Sequence, residues 1–316
     1  MTTDNAFPSK QGDSTRMNKQ RLSSEQRDRV LLLRRRHSLR EVATLTGLPL
    51  GTVKTLVSRC GAFRDNAQHR ALFMLPPTQE SDKTLPAVPK LPLQQAVTGD
   101  KEVDAVLWLH SVINTGQAEL ISKALVAAKR VKTPLNVLEK RYRDHLTATN
   151  PGNLFAALSS FGFSDLDGLA AKAIERNRRQ AEGVARFGDS LFDDTPAENF
   201  CIEALRGVEP GEFGFLDKEE VAARFRAYPE LMPHTLADCL HELDYWQRLF
   251  LLRNAVDSYG SDGAPETSAR EWFVFGLMAE IRPRSKEEAR AVFRYLIDSD
   301  RRDQAETNAI LGNLIG

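Results

Sequence analysis

The chain has 316 residues, 41% of them hydrophobic and 27% charged, so it can fold around a proper core and is not disordered as a whole. Its three cysteines form no C-x-x-C pair, and their odd number fits a reducing compartment, so no disulfide framework is implied. The N-terminus has no apolar leader and no apolar run is long enough to span a bilayer, which predicts a cytoplasmic protein without membrane contact.

The formal net charge of zero hides an asymmetry along the chain. Residues 1–100 hold 16 Lys and Arg against 9 Asp and Glu, leaving 27 of the 43 basic and 34 of the 43 acidic residues for the remainder. Nucleic acid attracts proteins first through its phosphate charge, so the basic part is predicted to contact DNA and the acidic part to do other work. The alternative is that the uneven charge has no functional meaning.

The first 60 residues predict a tail followed by three helices. Residues 1–21 are polar and lack periodicity, which predicts a disordered tail. A first helix is expected to begin at Ser23, whose side chain would form a capping box with Gln26. A second capping box, Ser38 with Glu41, predicts the start of the next helix.

The stretch Ser38 to Arg59 carries the residue pattern of a DNA-binding helix-turn-helix. Ala43 is small enough for two helices to cross closely, and Gly47 can adopt the left-handed backbone of the turn. Apolar side chains at helical spacing predict one shared core, and they are Val42, Leu48, Val53 and Leu56.

The turn and second helix, Gly47 to Lys54 with the sequence GLPLGTVK, resemble the promoter-reading helix-turn-helix of region 4 in sigma factors of the extracytoplasmic-function type. The resemblance covers about residues 24–60. It implies that the module reads DNA. The short polar stretch upstream leaves no room for the promoter-melting domain of those factors, which argues against a complete sigma factor.

In a helix-turn-helix, the second helix enters the major groove by its N-terminal end. Lys54, Thr55 and Ser58 can donate to base edges or backbone, and Leu50 can contact a thymine methyl. Arg59, at the end of the helix, is expected to contact a phosphate of the DNA backbone. The predicted DNA-binding residues are Ser38, Arg40, Leu50, Gly51, Thr52, Lys54, Thr55, Ser58 and Arg59.

The rest of the chain predicts a second helical domain behind a linker. A short helical segment at 67–74 completes a DNA-binding domain of residues 22–75, and five prolines make 76–100 an extended linker. Residues 101–316 are rich in helix signals, so an all-α domain of about nine or ten helices is predicted there. Its helix starts are expected at Thr133-Pro134, Asn150-Pro151, Thr195-Pro196, and at the boxes Thr195/Glu198, Ser268/Glu271 and Ser285/Glu288.

Metal and catalytic sites find little support in the sequence. The segment HTLADCLHELD offers His234, Cys239 and His241 as zinc ligands, but Cys239 and His241 would point about 200° apart on one helix. No phosphate-binding loop, nucleophile elbow or paired-carboxylate motif is present. We therefore expect no enzyme activity, no metal and no cofactor. The aromatic residues around Trp246 and Trp272 are typical of a core, with a small-molecule pocket as the alternative.

Together these patterns predict a sequence-specific DNA-binding protein, a bacterial transcriptional regulator that binds double-stranded DNA. One such motif buries little surface, so the 101–316 domain is expected to form a homodimer or to bind a partner such as RNA polymerase. Two alternatives remain open. The first is an accessory protein of replication, partition or a mobile element, and the second is a helical docking scaffold with weak DNA contact.

Overall fold

The computed structural model describes residues 22–34, 37–60, 63–79, 90–153, 155–211, 215–258 and 263–315. The predicted tail, 1–21, and residues 80–89 of the predicted linker lie outside these ranges. The α-helices in the described ranges are α1 Ser24–Arg34, α2 Leu39–Thr46, α3 Leu50–Cys60, α4 Ala67–Leu72, α5 Lys101–Ile113, α6 Ala118–Ala128, α7 Leu135–Thr149, α8 Leu166–Phe187, α9 Pro196–Ala204, α10 Lys218–Arg226, α11 Leu236–Val256, α12 Pro265–Leu277, α13 Lys286–Asp298 and α14 Thr307–Ile315.

The predicted all-α fold is confirmed. The described residues contain no β-strand, and the one β-type pairing among them is an isolated bridge between Pro210 and Leu216 in the loop that follows α9. Within the same ranges, no helix combines the length and the apolar character needed to cross a membrane.

Helices α1, α2 and α3 pack on one another around three fully buried valines, Val30, Val42 and Val53. Half-buried side chains such as Leu33 and Leu56 close this small core. We call residues 22–60 the N-terminal unit. Within the described part of the chain, the hydrogen bonds of this unit stay among residues 22–64.

The remaining helices form a larger assembly, which we call the helical body and which comprises residues 65–79 and 90–315. Its first part packs α5, α6 and α7 against the N-terminal half of α8, with Val106, Ile113 and Leu138 at the centre. The long helix α8 then packs along α11 and joins this part to the rest of the body.

The second part of the body is built around α11. The N-terminal half of this helix, with Leu243, packs with α12 and α13, and its middle and C-terminal half, with Trp246 and Leu249, packs with α9 and α10. Helix α4 belongs to this core: Phe73 is fully buried against Tyr245 and Trp246. The segment 65–75 thus packs with the C-terminal helices, although its sequence suggested the end of the DNA-binding module.

The described ends of the proline-rich segment lie on the helical body. The Arg186 guanidinium donates to the Pro76 carbonyl at 2.6 Å, and the Gln79 N–H donates to the Ala185 carbonyl at 2.7 Å. Farther along, the Trp108 indole donates to the Pro92 carbonyl at 2.8 Å. The segment therefore connects α4 with α5, two helices of the same body.

Thr133 does not cap α7 as predicted, because Pro134 is the N-cap and the Thr133 hydroxyl donates to Glu102. At the predicted box of Ser285 and Glu288, only the bond from the Glu288 N–H to the Ser285 hydroxyl forms.

Most other predicted helix starts are confirmed, and two are wrong. The capping boxes at Ser38 and Thr195 form with both hydrogen bonds, as does the pair of Ser23 with Gln26. Asn150 ends α7 instead of starting a helix, because the residue before a proline disfavours helical backbone and Pro151 follows it. Ser268 lies inside α12, which begins at Pro265, since proline at the first helical position already fixes the start.

Candidate nucleic-acid interface

The turn between α2 and α3 has the geometry that its sequence requires. Gly47 ends α2 with φ +69°, a left-handed conformation that a side chain would strain. Three residues later α3 begins, and the Pro49 carbonyl accepts hydrogen bonds from the N–H groups of Thr52 and Val53. The start of α2 is fixed by Ser38, whose N–H donates to the Glu41 carboxylate at 2.6 Å.

Helix α3 divides into a buried and an exposed face. Val53 is fully buried, with Leu56 and Val57 half-buried beside it in the core of the N-terminal unit. Among the predicted DNA-binding residues, Leu50 and Thr52 are half-buried, and the exposed ones are Ser38, Arg40, Gly51, Lys54, Thr55, Ser58 and Arg59.

Four of the exposed α3 residues share one face, because Gly51, Lys54, Thr55 and Ser58 follow one another at helical spacing. The Thr55 hydroxyl donates to the Gly51 carbonyl at 2.9 Å, which leaves its oxygen free to accept. Neither Lys54 nor Arg59 forms an ion pair with a described residue, so both cationic groups remain available to an anion.

Arg64 extends the basic character of this face and was missed by the sequence reasoning. Its guanidinium donates to the Ser58 hydroxyl at 3.3 Å, and the residue is exposed. The only available signal was its basic type just beyond α3. Residues 22–64 as a whole contain nine Lys and Arg against three Asp and Glu.

One of those three carboxylates is already engaged. Hydrogen bonds from the Ser38 backbone and side chain lower the pKa of Glu41, so this acidic group is held in the cap of α2. Negative charge is thus fixed at a helix start, where the helix dipole favours it. The exposed face of α3 itself carries Lys54 and Arg59 and no acidic residue.

The N-terminal unit meets the helical body at Asp65 and Asn66. The Asp65 carboxylate accepts from the Thr235 hydroxyl at 3.0 Å and pairs with Arg284 at 2.8 Å. The buried Asn66 donates its backbone N–H to the Asp238 carboxylate at 2.9 Å and its side-chain amide to the Met232 carbonyl at 2.9 Å. The chain is therefore fixed to the body five residues after the end of α3.

A buried ion pair lies directly behind this attachment point. Arg270 on α12 and Glu242 on α11 are both fully buried, and the guanidinium donates to the two carboxylate oxygens at 2.7 and 2.9 Å. The same guanidinium donates to the Leu231 carbonyl at 3.1 Å. Its central carbon lies 4.8 to 5.7 Å from four ring centres, those of Phe73, Phe200, Phe225 and Phe273.

Helix α4 reaches the same carboxylate through His69. Its Nε2 lies 2.7 Å from a Glu242 oxygen, and both side chains are fully buried. Burial alone would raise the pKa of Glu242, but the charge of Arg270 and the hydrogen bonds from His69 and Arg270 outweigh it and lower the pKa. Glu242 thus stays ionised and connects α4, α11 and α12. No motif in the sequence indicated this network.

The residues considered as zinc ligands do not converge. Cys239 is fully buried, and burial raises the pKa of its thiol well above the usual value, whereas a zinc ligand must be a thiolate. The His241 ring bonds to the Arg70 carbonyl at 3.1 Å. In the described ranges, no group of three or more His, Cys, Asp and Glu side chains is arranged to hold a metal ion.

Comparisons of the chain with protein-family models, with curated proteins and with solved structures find no match.

Proposed function

We propose that this protein binds double-stranded DNA in a sequence-specific manner, with α3 in the major groove. The observation that carries the proposal is the arrangement of α3. Its inner face is fixed on a valine core, and its outer face exposes Lys54, Thr55, Ser58 and Arg59 without a carboxylate among them. A rigid helix with such a face suits base reading, since base contacts need precise placement.

The side chains divide into base readers and backbone contacts. Lys54 can donate to guanine O6 and N7, and the Thr55 hydroxyl can bond a base or the backbone. Arg59 at the end of α3 and Arg40 near the start of α2 would contact phosphates. Ser38 is already used in the cap of α2, so its contribution would come through its backbone position.

The biological role that we propose is a bacterial transcriptional regulator acting as a homodimer. One helix-turn-helix module covers only a few base pairs, and a second copy supplies the affinity that a single copy lacks. Dimerisation through the helical body would place two α3 helices on a pseudo-palindromic site.

The test begins with selection of bound duplexes from a random pool by the full-length protein. Fluorescence anisotropy with the selected duplex then compares three variants. Lys54→Ala should weaken binding by about 1–3 kcal/mol and relax the preference at one base pair. Arg59→Ala should weaken all duplexes alike and reduce the salt dependence. Lys172→Ala, an exposed lysine of α8 in the body, is the matched control and should bind normally.

Two results would contradict the proposal. Selection that enriches no sequence, together with no binding at low salt, would rule out DNA recognition. Normal binding by both Lys54→Ala and Arg59→Ala would show that another face is used. Light scattering of the free protein and the length of its footprint decide between a dimer on two half-sites and a monomer on one.

A further inference from the structure

A cavity of about 380 Å³ lies where the N-terminal unit faces the helical body. The unit contributes Arg34 at the end of α1, and Phe63 follows α3. The body contributes a mixed wall of apolar and basic side chains, among them Met232, Ile281 and Arg282. The cavity is therefore shared by the two parts of the molecule.

The charges around the cavity do not balance. Arg226 and Glu280, which both line it, pair with each other at 2.9 Å, and Arg284 pairs with Asp65 and Glu288. The two remaining arginines of the wall, Arg34 and Arg282, form no ion pair with any described residue. Two guanidinium groups thus share one space, and neither is paired with a carboxylate of the described residues.

Arg34 is only partly satisfied by the protein. Its Nη1 donates to the His37 carbonyl at 2.9 Å, and its guanidinium lies 5.4 Å from the centre of the Phe63 ring. Its Nε is buried and has no hydrogen-bond acceptor. Burial, followed by the positive charge of Arg282, lowers the pKa of Arg34. Both causes show that the surroundings disfavour the cation as it stands.

Glu41 does not remove this imbalance. After the hydrogen bonds from Ser38, the charge of Arg282 also lowers the pKa of Glu41, so these two charges attract each other. Glu41, however, does not line the cavity and forms no ion pair with either arginine. An anion that enters the cavity would compensate two arginines that belong to different parts of the protein.

We propose that this cavity binds the phosphate group of a small phosphorylated molecule. A phosphate offers acceptor oxygens on several sides and a charge near two, which suits two guanidinium groups that approach from α1 and from the segment after α12. The volume exceeds that of a phosphate ion, and Met232 and Ile281 would contact the apolar part of the molecule. The site goes beyond the proposed DNA binding and does not depend on it.

The experiment uses the full-length protein without DNA and inorganic phosphate as the probe. Isothermal titration at constant ionic strength should give saturable binding of one phosphate per chain. Arg282→Gln and Arg34→Gln should each weaken it at least tenfold. Arg294→Gln, which removes an exposed arginine of α13 that does not line the cavity, is the matched control and should bind as the wild type does.

The variants differ in their structural risk. Arg34 supports the His37 carbonyl, so Arg34→Gln could disturb the corner between α1 and α2. Arg282 has no hydrogen bond or ion pair to a described residue, so Arg282→Gln should unfold at the same temperature as the wild type. If Arg34→Gln does not fold, Arg282→Gln decides the test. The proposal is wrong if the wild type does not bind phosphate. It is also wrong if Arg282→Gln and Arg294→Gln bind phosphate with equal affinity.

A second arm identifies the source of the phosphate. Phenyl phosphate should bind several-fold more tightly than inorganic phosphate, because its ring would contact the apolar wall. A DNA duplex should leave this binding unchanged. If phenyl phosphate gains nothing and a duplex displaces the phosphate, the cavity receives a DNA backbone phosphate and the small-molecule assignment is wrong. A wild-type protein that binds no phosphate in the absence of DNA would refute the cavity site and leave DNA binding by α3 untouched. The two proposals are therefore tested independently.

Discussion

The N-terminal unit and the helical body are stabilised in different ways. Three buried valines and a ring of half-buried side chains hold α1, α2 and α3 together, with hydrogen bonds between residues close in sequence. The body has large apolar clusters and, at its centre, a fully buried Arg270–Glu242 pair enclosed by phenylalanines. A unit with so small a core is expected to open more readily than the body to which it is attached.

The largest effect is expected from Arg270→Met. Removing the cation leaves the Glu242 carboxylate buried without its partner, and breaking a buried pair in this way costs about 3–5 kcal/mol. Urea unfolding followed by tryptophan fluorescence measures the loss, since Trp246 donates to the same carboxylate. The exposed Arg294→Met should stay within about 0.5 kcal/mol of the wild type. Equal stability of the two variants would mean that the network contributes nothing to the body.

Val53→Ala tests whether the two regions open independently. Deleting two buried methyl groups should cost the N-terminal unit about 1–3 kcal/mol. Hydrogen exchange should show faster exchange in α1 to α3 and unchanged protection in α11. Val126→Ala, at a position where the side chain is 55% exposed on α6, is the matched control. Equal loss of protection in α11 would show that the N-terminal unit and the helical body open as one cooperative unit.

Ser38→Ala should have a smaller effect, about 1 kcal/mol, because it removes one cap of α2. The loss should appear as faster exchange of the amides in the first turns of α2 only. Ser38→Thr keeps the hydroxyl and should retain most of the protection. Identical exchange in Ser38→Ala and the wild type would show that the cap adds no stability to the unit.

The smallest effect concerns the pH dependence of the body. Burial alone would raise the pKa of Glu198, but Arg253 and Thr195 outweigh it and lower the pKa below that of an unfolded chain. A lowered pKa stabilises the fold above the unfolded value of about 4.3, and this stability is lost as the pH falls through the folded value. The stability difference between wild type and Glu198→Gln should therefore shrink on acidification below about pH 4.5. A constant difference in urea midpoints would contradict the assignment.

The parts of the molecule that the sequence predicted are those with local causes. Ser38 and Glu41 are three residues apart, and Gly47 follows directly after α2, so their roles are readable from spacing. Asn150 shows the limit of such signals, because asparagine and proline are common both before a helix and after one. Here Asn150 follows the last residue of α7, and Pro151 disfavours further helical backbone.

The buried network had no such local cause. His69 and Glu242 are 173 residues apart, and Asn66 and Asp238 are 172 apart. Each of these side chains, taken alone, has the pattern of a solvated helix face. For the same reason, the packing of α4 in the body and the cavity beside Arg34 depend on tertiary contacts that no single-sequence pattern reports.

The attachment at Asp65 limits the reach of α3. Only five peptide units separate Cys60, the last residue of α3, from Asp65, and a fully extended chain of that length spans at most about 18 Å. In a dimer of the proposed kind, the distance between the two α3 helices would therefore be fixed within narrow limits by the body. The spacing of the two half-sites would have to match that distance. Inserting about five base pairs between them would turn one half-site to the opposite side of the duplex, beyond what so short a connection can follow.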